Sequence, residues 1–251
     1  MRFVRFPSVV TVGSLVGFVG LWFVASTYHL IPYLPTPIDV VLVFVEHPGP
    51  LLSHTLHTLV RGLVGLAFGS ALGVLVALFF GWNRYIRAFF MPTVVAAKSI
   101  PVLALIPIFI LWFGIGEKSI VPFVVVGCFF IVFVISIEAI ANVPTVYVWA
   151  ASAMGASGTQ HYTRVILPAI VPGIIGGLRV AAASAFPLTL AAEFLGAQQG
   201  LGYYIIKGVA LLQVPEMIAG VVGVTALAVA ADSAVRLTTG RLTSWSERVV
   251  P

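Results

Sequence analysis

Long apolar stretches, nearly free of charge, constrain this chain more than any other feature. A helix needs about 20 mostly apolar residues to cross a hydrocarbon core about 30 Å thick. Six stretches approach or exceed this length: 8–27, 62–82, 99–116 (extended back towards 89), 119–137, 165–192 and 217–235. The sequence therefore predicts an all-α, polytopic membrane protein with six transmembrane helices.

Composition supports the same class. Of the 251 residues, 60% are hydrophobic and only 8% are charged, and the mean hydropathy is +1.12. Soluble domains carry roughly a quarter charged residues. We expect a single transmembrane domain over 1–251, with its core at about 50–236 and an N-terminal span within 1–34. Cys128 is the only cysteine, so neither a disulfide nor a cysteine-based metal site is expected.

The basic residues predict the orientation. Cytoplasmic loops of membrane proteins are enriched in lysine and arginine. With six spans and a cytoplasmic N-terminus, two lysines, Lys118 and Lys207, lie outside, and eight arginines lie inside: Arg2, Arg5, Arg84, Arg87, Arg164, Arg236, Arg241 and Arg248. Both termini are therefore expected in the cytoplasm of a cell-membrane protein. The net charge of +5 is explained by this asymmetry, and no nucleic-acid partner is expected. A cleaved signal peptide is the less favoured alternative, because the first apolar run exceeds the usual signal core.

The external segment 35–57 is predicted to contain a short interfacial helix over 37–46. Thr36 can cap this helix, Pro37 suits its first position, and Asp39 suits the positive end of the helix dipole. The run from His47 to Pro50 is expected to end it.

Glycines and prolines predict features of the second and third spans. Gly65, Gly69 and Gly73 recur every four residues, which gives a flat helix face that another backbone can approach closely. Pro101 and Pro107 are expected to kink the third span. Glu117-Lys118 is expected to form the tight turn before the fourth.

The loop 141–164 joins the fourth and fifth spans. Pro144 can begin a helix that runs to Met154, and Gly155 supplies the permissive backbone that helix ends prefer. Ser157 can cap a second helix that continues through Arg164 towards the fifth span. From spacing alone, an ordinary amphipathic helix lying on the membrane remains an alternative.

The same loop carries a resemblance to a known family. Ala150-Ala151, Gly155 and Leu167-Pro168 resemble the EAA loop of ABC importer permeases. The run 100–117 is similar to the third-span signature of the taurine, alkanesulfonate and nitrate group of these permeases. Further matches follow in order: Gly155-Ala156-Ser157, Leu167-Pro168-Ala169, Gly177-Leu178-Arg179, Ala192-Glu193 and Gly200-Leu201-Gly202.

This resemblance implies the membrane subunit of an importer, with a coupling helix between spans four and five that docks into a separate ATPase. The residues implied in that contact are Tyr147, Trp149, Ala150, Ala151, Met154, Gly155, Ala156 and Ser157. It also implies a homodimer of permeases, two cytoplasmic ATPases that bind ATP and magnesium, and an external or lipid-anchored solute-binding protein. The solute implied is small and anionic in character, of the sulfonate, nitrate, bicarbonate or vitamin-precursor type. Trp149 departs from the family, which usually has glutamate there. An indole can anchor a protein interface or sit at a membrane interface.

Ionisable side chains within the apolar spans are the candidates for the translocation pathway, because charge at membrane depth is costly and usually faces the bundle interior. The candidates are Arg61, Lys98, Arg179 and Glu193. Arg61 and Glu193 are expected to pair near the outer mouth, either beside the pathway or as a purely structural ion pair. Asp232 and Arg236, four residues apart on the sixth span, are expected to pair with each other.

No nucleotide or metal site is expected in this chain. The pattern Gly-x-x-x-x-Gly-Lys-Ser/Thr does not occur, so ATP hydrolysis is expected on another subunit. His54 and His57 lie three residues apart without a nearby carboxylate or cysteine, which argues against a metal site. An ion-gradient-driven secondary transporter is the alternative function, but neither an internal repeat nor a midplane carboxylate relay is evident. A membrane enzyme would need clustered catalytic residues, and none are apparent.

Overall fold

The protein is described by a computed structural model over residues 8–240, with backbone alone at 8–11, 84, 95, 97 and 98. Every regular element in this range is helical, which confirms the all-α fold. The ten α-helices are α1 (Ser8–Thr27), α2 (Pro37–Glu46), α3 (Pro48–Trp82), α4 (Arg84–Lys98), α5 (Ile106–Phe113), α6 (Glu117–Ala141), α7 (Thr145–Ala153), α8 (Leu167–Gly196), α9 (Leu201–Ala210) and α10 (Val214–Thr239). A 3₁₀ turn at Val102–Leu105 precedes α5, and a π-helical turn at His161–Ile166 runs into α8.

Four helices in the described range are long and apolar enough to cross a membrane. They are α3, α6, α8 together with its π-helical turn, and α10. The two remaining predicted spans correspond to shorter apolar helices, Val12–Thr27 and Val102–Phe113. The chain is therefore a multi-pass membrane protein, and the count of six spans stays a prediction.

The glycine face of α3 packs against α6, as the sequence predicts. Added to Gly69, a Cβ atom would lie 2.7 Å from the Cβ of Cys128 and 3.0 Å from the backbone nitrogen of Phe129. Gly65 and Gly73 meet the same helix in the same way. α6 lies between α3 and α8, and its side chains Phe123, Val124 and Cys128 are fully buried. Backbones this close leave no room for solvent or lipid between the two helices.

The short helix α2 forms as predicted. Thr36 accepts a hydrogen bond from the backbone nitrogen of Asp39, and the Asp39 carboxylate accepts one from the backbone nitrogen of Thr36. This reciprocal pair satisfies donors that a helix start leaves free. Trp22 of α1 donates a 2.9 Å hydrogen bond to the carbonyl of Pro35 and packs on the buried face of α2. α10 packs against the same helix.

The helix that contains the second predicted span, 62–82, begins earlier than that span. His47 interrupts the helix as expected, but Pro48 then begins α3 instead of prolonging the break. Proline fits the first turn of a helix because its missing N–H would have no partner there. The resulting 35-residue helix is about 52 Å long, so its first turns extend well beyond a hydrocarbon core of about 30 Å.

The third predicted span is divided, and only one of its prolines interrupts it. Pro101 lies in extended backbone between α4 and the 3₁₀ turn, whereas Pro107 lies in the first turn of α5 and starts that helix. The turn before α6 is made by Gly114 and Gly116, with φ of +80° and +107°. Glu117 begins α6 and is not a turn residue.

Candidate functional site

The helix α7 lies where the sequence predicts a coupling helix. Pro144 precedes it and Met154 ends it. The backbone N–H of Gly155 donates to the carbonyl of Ser152, and that of Ala156 donates to the carbonyl of Ala151, each at 3.0 Å. This pair of bonds is the Schellman motif, in which the residue at the Gly155 position adopts a left-handed conformation. Its φ is +83°, so the predicted helix end is confirmed.

Large apolar side chains project from α7. Trp149 is 70% exposed, and Tyr147 and Met154 are exposed as well. Ala150, Gly155 and Ser157 also lie at the surface, Ala156 is half-buried, and Ala151 is buried. Tyr147 and Met154, seven residues apart, share one face of the helix, and Trp149 lies on the opposite face. Large exposed apolar side chains on a short helix mark a contact with protein or membrane.

A π-helical turn ties α7 to the long helices. Ser152 Oγ lies 3.0 Å from Nε2 of His161, the first residue of that turn. Tyr162 donates a 2.6 Å hydrogen bond to the carbonyl of Leu78, and its ring packs edge-on against Trp82 at 4.7 Å between centroids. The second helix predicted after Ser157 is thus a π-helical start of α8 without a side-chain cap. A displacement of α7 would reach both α3 and α8 through this turn.

An ionic cluster, in which Arg61 and Glu193 are buried, lies at the opposite end of the bundle. Arg61 Nη1 donates to Glu193 at 2.6 Å, so the predicted pair is confirmed. Glu193 also accepts from Thr58 Oγ1 at 2.9 Å and from the backbone nitrogen of Gly202 at 2.8 Å. The Arg61 Nε lies 2.9 Å from a Glu117 oxygen, and Nη2 also contacts this carboxylate. This Arg61 cluster (Thr58, Arg61, Glu117, Glu193 and the Gly202 backbone) joins α3, α6, α8 and α9.

Sequence reasoning missed three members of the cluster: Thr58, Glu117 and Gly202. The sequence places Glu117 in a turn, yet this acidic residue is also expected at the outer end of the spans, as Arg61 is. Gly202 belongs to a motif that carries the family resemblance. The requirement that a buried arginine find several acceptors could have prompted a search for them.

The two other pathway candidates, Arg179 and Lys98, do not belong to the Arg61 cluster. Arg179 of α8 forms a forked pair with Asp232 of α10, with nitrogen–oxygen distances of 2.9 and 3.2 Å. The predicted partner of Asp232 was Arg236, so that prediction was wrong. An arginine that presents two donors to both carboxylate oxygens outcompetes a looser contact along one helix. Lys98 ends α4, and its side chain lies outside the described part of the chain.

Comparison with known proteins identifies the family. Residues 69–244, more than half of the chain, match the model for the binding-protein-dependent transport system inner membrane component. The chain belongs to this family.

Named relatives align with almost the whole length of this permease. It is 29% identical over 248 residues to the aliphatic sulfonates transport permease protein SsuC of Bacillus subtilis, which covers 98% of this chain and 87% of that protein. It is 28% identical to the taurine transport system permease protein TauC of Escherichia coli, over 95% of this chain and 90% of that one. Among solved structures, the MetNI methionine ABC transporter in an inward-facing conformation has a TM-score of 0.53 at 23% identity. That likeness covers 78% of this chain and 96% of the other, and it supports the fold. The chain is thus an inner-membrane permease component of the ABC importer type.

Proposed function

We propose that this permease forms the translocation pathway of an ATP-driven importer for a small anionic solute, a sulfonate or a related molecule, and that it works by alternating access. ATP and magnesium would bind two separate ATPase subunits, and a second copy of this chain would complete the membrane part. An external binding protein would deliver the solute. Family membership and the names of the relatives support these assignments.

The observation that carries the proposal is the construction of α7. Trp149, Tyr147 and Met154 project from a helix that is fixed at one end by the Gly155 turn and held to the bundle by Ser152 and His161. A partner that buries these side chains would move a rigid lever rather than a loose loop. The π-helical turn and the Tyr162 hydrogen bond would pass that movement to α3 and α8.

The positions of α7 and the Arg61 cluster fit this mechanism. α7 lies beyond the end of α6 that is opposite Glu117, so α7 and the Arg61 cluster lie at opposite ends of the spans. With both termini in the cytoplasm, as the arginine distribution favours, α7 would face the ATPase. The Arg61 cluster would then face the binding protein.

The test replaces the exposed tryptophan of α7. Loss of a central aromatic anchor typically weakens binding by about 2–4 kcal/mol. Trp149→Ala should therefore reduce co-purification of the ATPase, or uncouple ATP hydrolysis from uptake, without reducing membrane insertion. Gly155→Val should act similarly, because a β-branched residue disfavours the left-handed turn.

Trp112→Ala is the matched control. Trp112 is 71% exposed but lies on α5, close in sequence to the turn that precedes Glu117. Its loss should leave ATPase binding unchanged. Normal ATPase binding and normal uptake in both α7 variants would show that this helix is not the coupling element.

A further inference from the structure

We infer that the Arg61 guanidinium is a binding site for the anionic group of a solute, a carboxylate or a sulfonate, and that Glu117 occupies this site in the structure. The inference rests on the proposed function, since it names one point at which the transported anion would be held.

The guanidinium uses two different edges for its two carboxylates. The edge formed by Nε and Nη2 faces both oxygens of Glu117, with Nε at 3.0 and 2.9 Å. Nη1 donates to Glu193 and to the carbonyl of Gln199, each at 2.6 Å. A forked contact of this kind is the geometry with which arginine recognises planar or tetrahedral oxyanions. The Nε edge could therefore hold a solute carboxylate or sulfonate as it holds Glu117.

The two carboxylates differ in how firmly they are held. The Glu193 side chain is 0% exposed and has two further donors, Thr58 and the Gly202 nitrogen. The Glu117 side chain is 59% exposed. Glu117 can thus leave Arg61 for water, whereas Glu193 cannot.

A cavity lies beside Arg61 and Glu117. It has a volume of about 300 Å³, and its other lining residues are Ile115, Gly116, Gly196, Gln198 and Gln199. Ligand pockets in proteins begin at roughly this size, so the space suits a small solute. The glutamine side chains that line it are potential hydrogen-bond partners for such a solute.

Charge balance permits the exchange. Arg61, Glu117 and Glu193 together carry one net negative charge when all are ionised. If a monoanion replaces the Glu117 carboxylate at Arg61, the charge at the guanidinium is unchanged and the released carboxylate is solvated. A divalent anion would add a charge beside Glu193, and a cation would have to compete with Arg61 itself. The site therefore favours monovalent carboxylates and sulfonates.

The test measures binding of methanesulfonate to the full chain in phosphatidylcholine nanodiscs, by saturation-transfer NMR of the methyl group. Glu117→Gln keeps the shape of the side chain and removes its charge. If Glu117 holds the guanidinium edge about nine-tenths of the time, its neutralisation should tighten binding about tenfold. Glu46→Gln, an exposed glutamate at the end of α2, is the matched control and should bind as the wild type does. Acetate should compete for the site, and methylammonium should not.

Two outcomes would overturn the inference: equal binding by Glu117→Gln and the wild type, or competition by methylammonium as strong as by acetate. A separate measurement of uptake by the complete transporter distinguishes a failure of this inference from a failure of the proposed function. If the transporter imports a sulfonate but Glu117→Gln leaves binding unchanged, the site is wrong and the function stands. If Glu117→Gln tightens binding but the transporter imports no anion, the site stands and the proposed solute class is wrong.

Discussion

Replacement of Gly69 by alanine should destabilise the protein, because the added methyl group would strike backbone. The Cβ of the alanine would meet the carbonyl oxygen of Val125. It would also lie 3.0 Å from the Phe129 nitrogen and 2.7 Å from the Cys128 Cβ, whereas ordinary van der Waals contact starts at 3.4 Å. Backbone atoms of α6 cannot rotate away, so α3 and α6 would have to move apart until the Val125 carbonyl oxygen returns to ordinary contact distance. Overpacking of a tight interior costs about 1–3 kcal/mol, and the upper value applies here.

The helix propensity of alanine offsets part of this loss. Alanine is more favourable than glycine in a helix interior by about 1 kcal/mol. The net loss for Gly69→Ala should therefore be about 2 kcal/mol. Gly176→Ala in α8, with nothing within 4 Å of the added atom, should be neutral or stabilising by up to about 1 kcal/mol. Gly81→Ala meets the terminal methyl of Ile140, which can rotate, and should fall between the two.

The free energy of unfolding of the three variants can be compared by SDS titration in mixed micelles, followed by circular dichroism. We expect Gly176→Ala to be the most stable of the three variants, Gly81→Ala to be intermediate and Gly69→Ala to be the least stable. Equal stability of Gly69→Ala and Gly176→Ala would refute the close α3–α6 packing.

Three further predictions concern the charged groups and the topology. Glu193→Leu should lower the free energy of unfolding by about 3–5 kcal/mol, because it removes a fully buried partner of Arg61 and leaves the Thr58 hydroxyl proton and the Gly202 nitrogen without their acceptor. Glu117→Gln should cost about 0–1 kcal/mol in the same titration, because the Glu117 side chain is 59% exposed and the amide oxygen of glutamine can still accept from Arg61. Arg179→Leu should lower uptake with assembly intact, and recovery of uptake in Arg179→Leu/Asp232→Leu would contradict a pathway role for Arg179. Cysteines introduced at Ser8 and Ser246 should be labelled only in permeabilised cells, and labelling of either from outside would contradict cytoplasmic termini.

Features that depend on local chemistry could be predicted from the sequence. Thr36 and Asp39 specify the start of α2 through their own side chains, and the spacing of Gly65 and Gly69 specifies a face for close approach. The pairing of Arg61 with Glu193 followed from the cost of an unpaired charge at membrane depth, which leaves few partners at the same level.

Features that depend on competition between distant groups could not be predicted. Asp232 has a suitable arginine four residues along its own helix, and only the packing of α10 on α8 brings Arg179 into position for the forked pair. Pro48 is compatible with the end of one helix or the start of the next, and tertiary contacts decide between them. Glu117 joins the Arg61 cluster because the Gly114–Gly116 turn brings it there.

If ATP hydrolysis on a partner subunit drives solute import through this chain, transport must depend on that subunit. The most direct measurement is uptake of the binding protein's ligand into proteoliposomes that contain this permease with or without its ATPase. We expect uptake only when the ATPase, ATP and magnesium are all present, and no uptake driven by a sodium or proton gradient alone. Gradient-driven uptake by the chain without the ATPase would contradict ATP-driven import and indicate a secondary transporter.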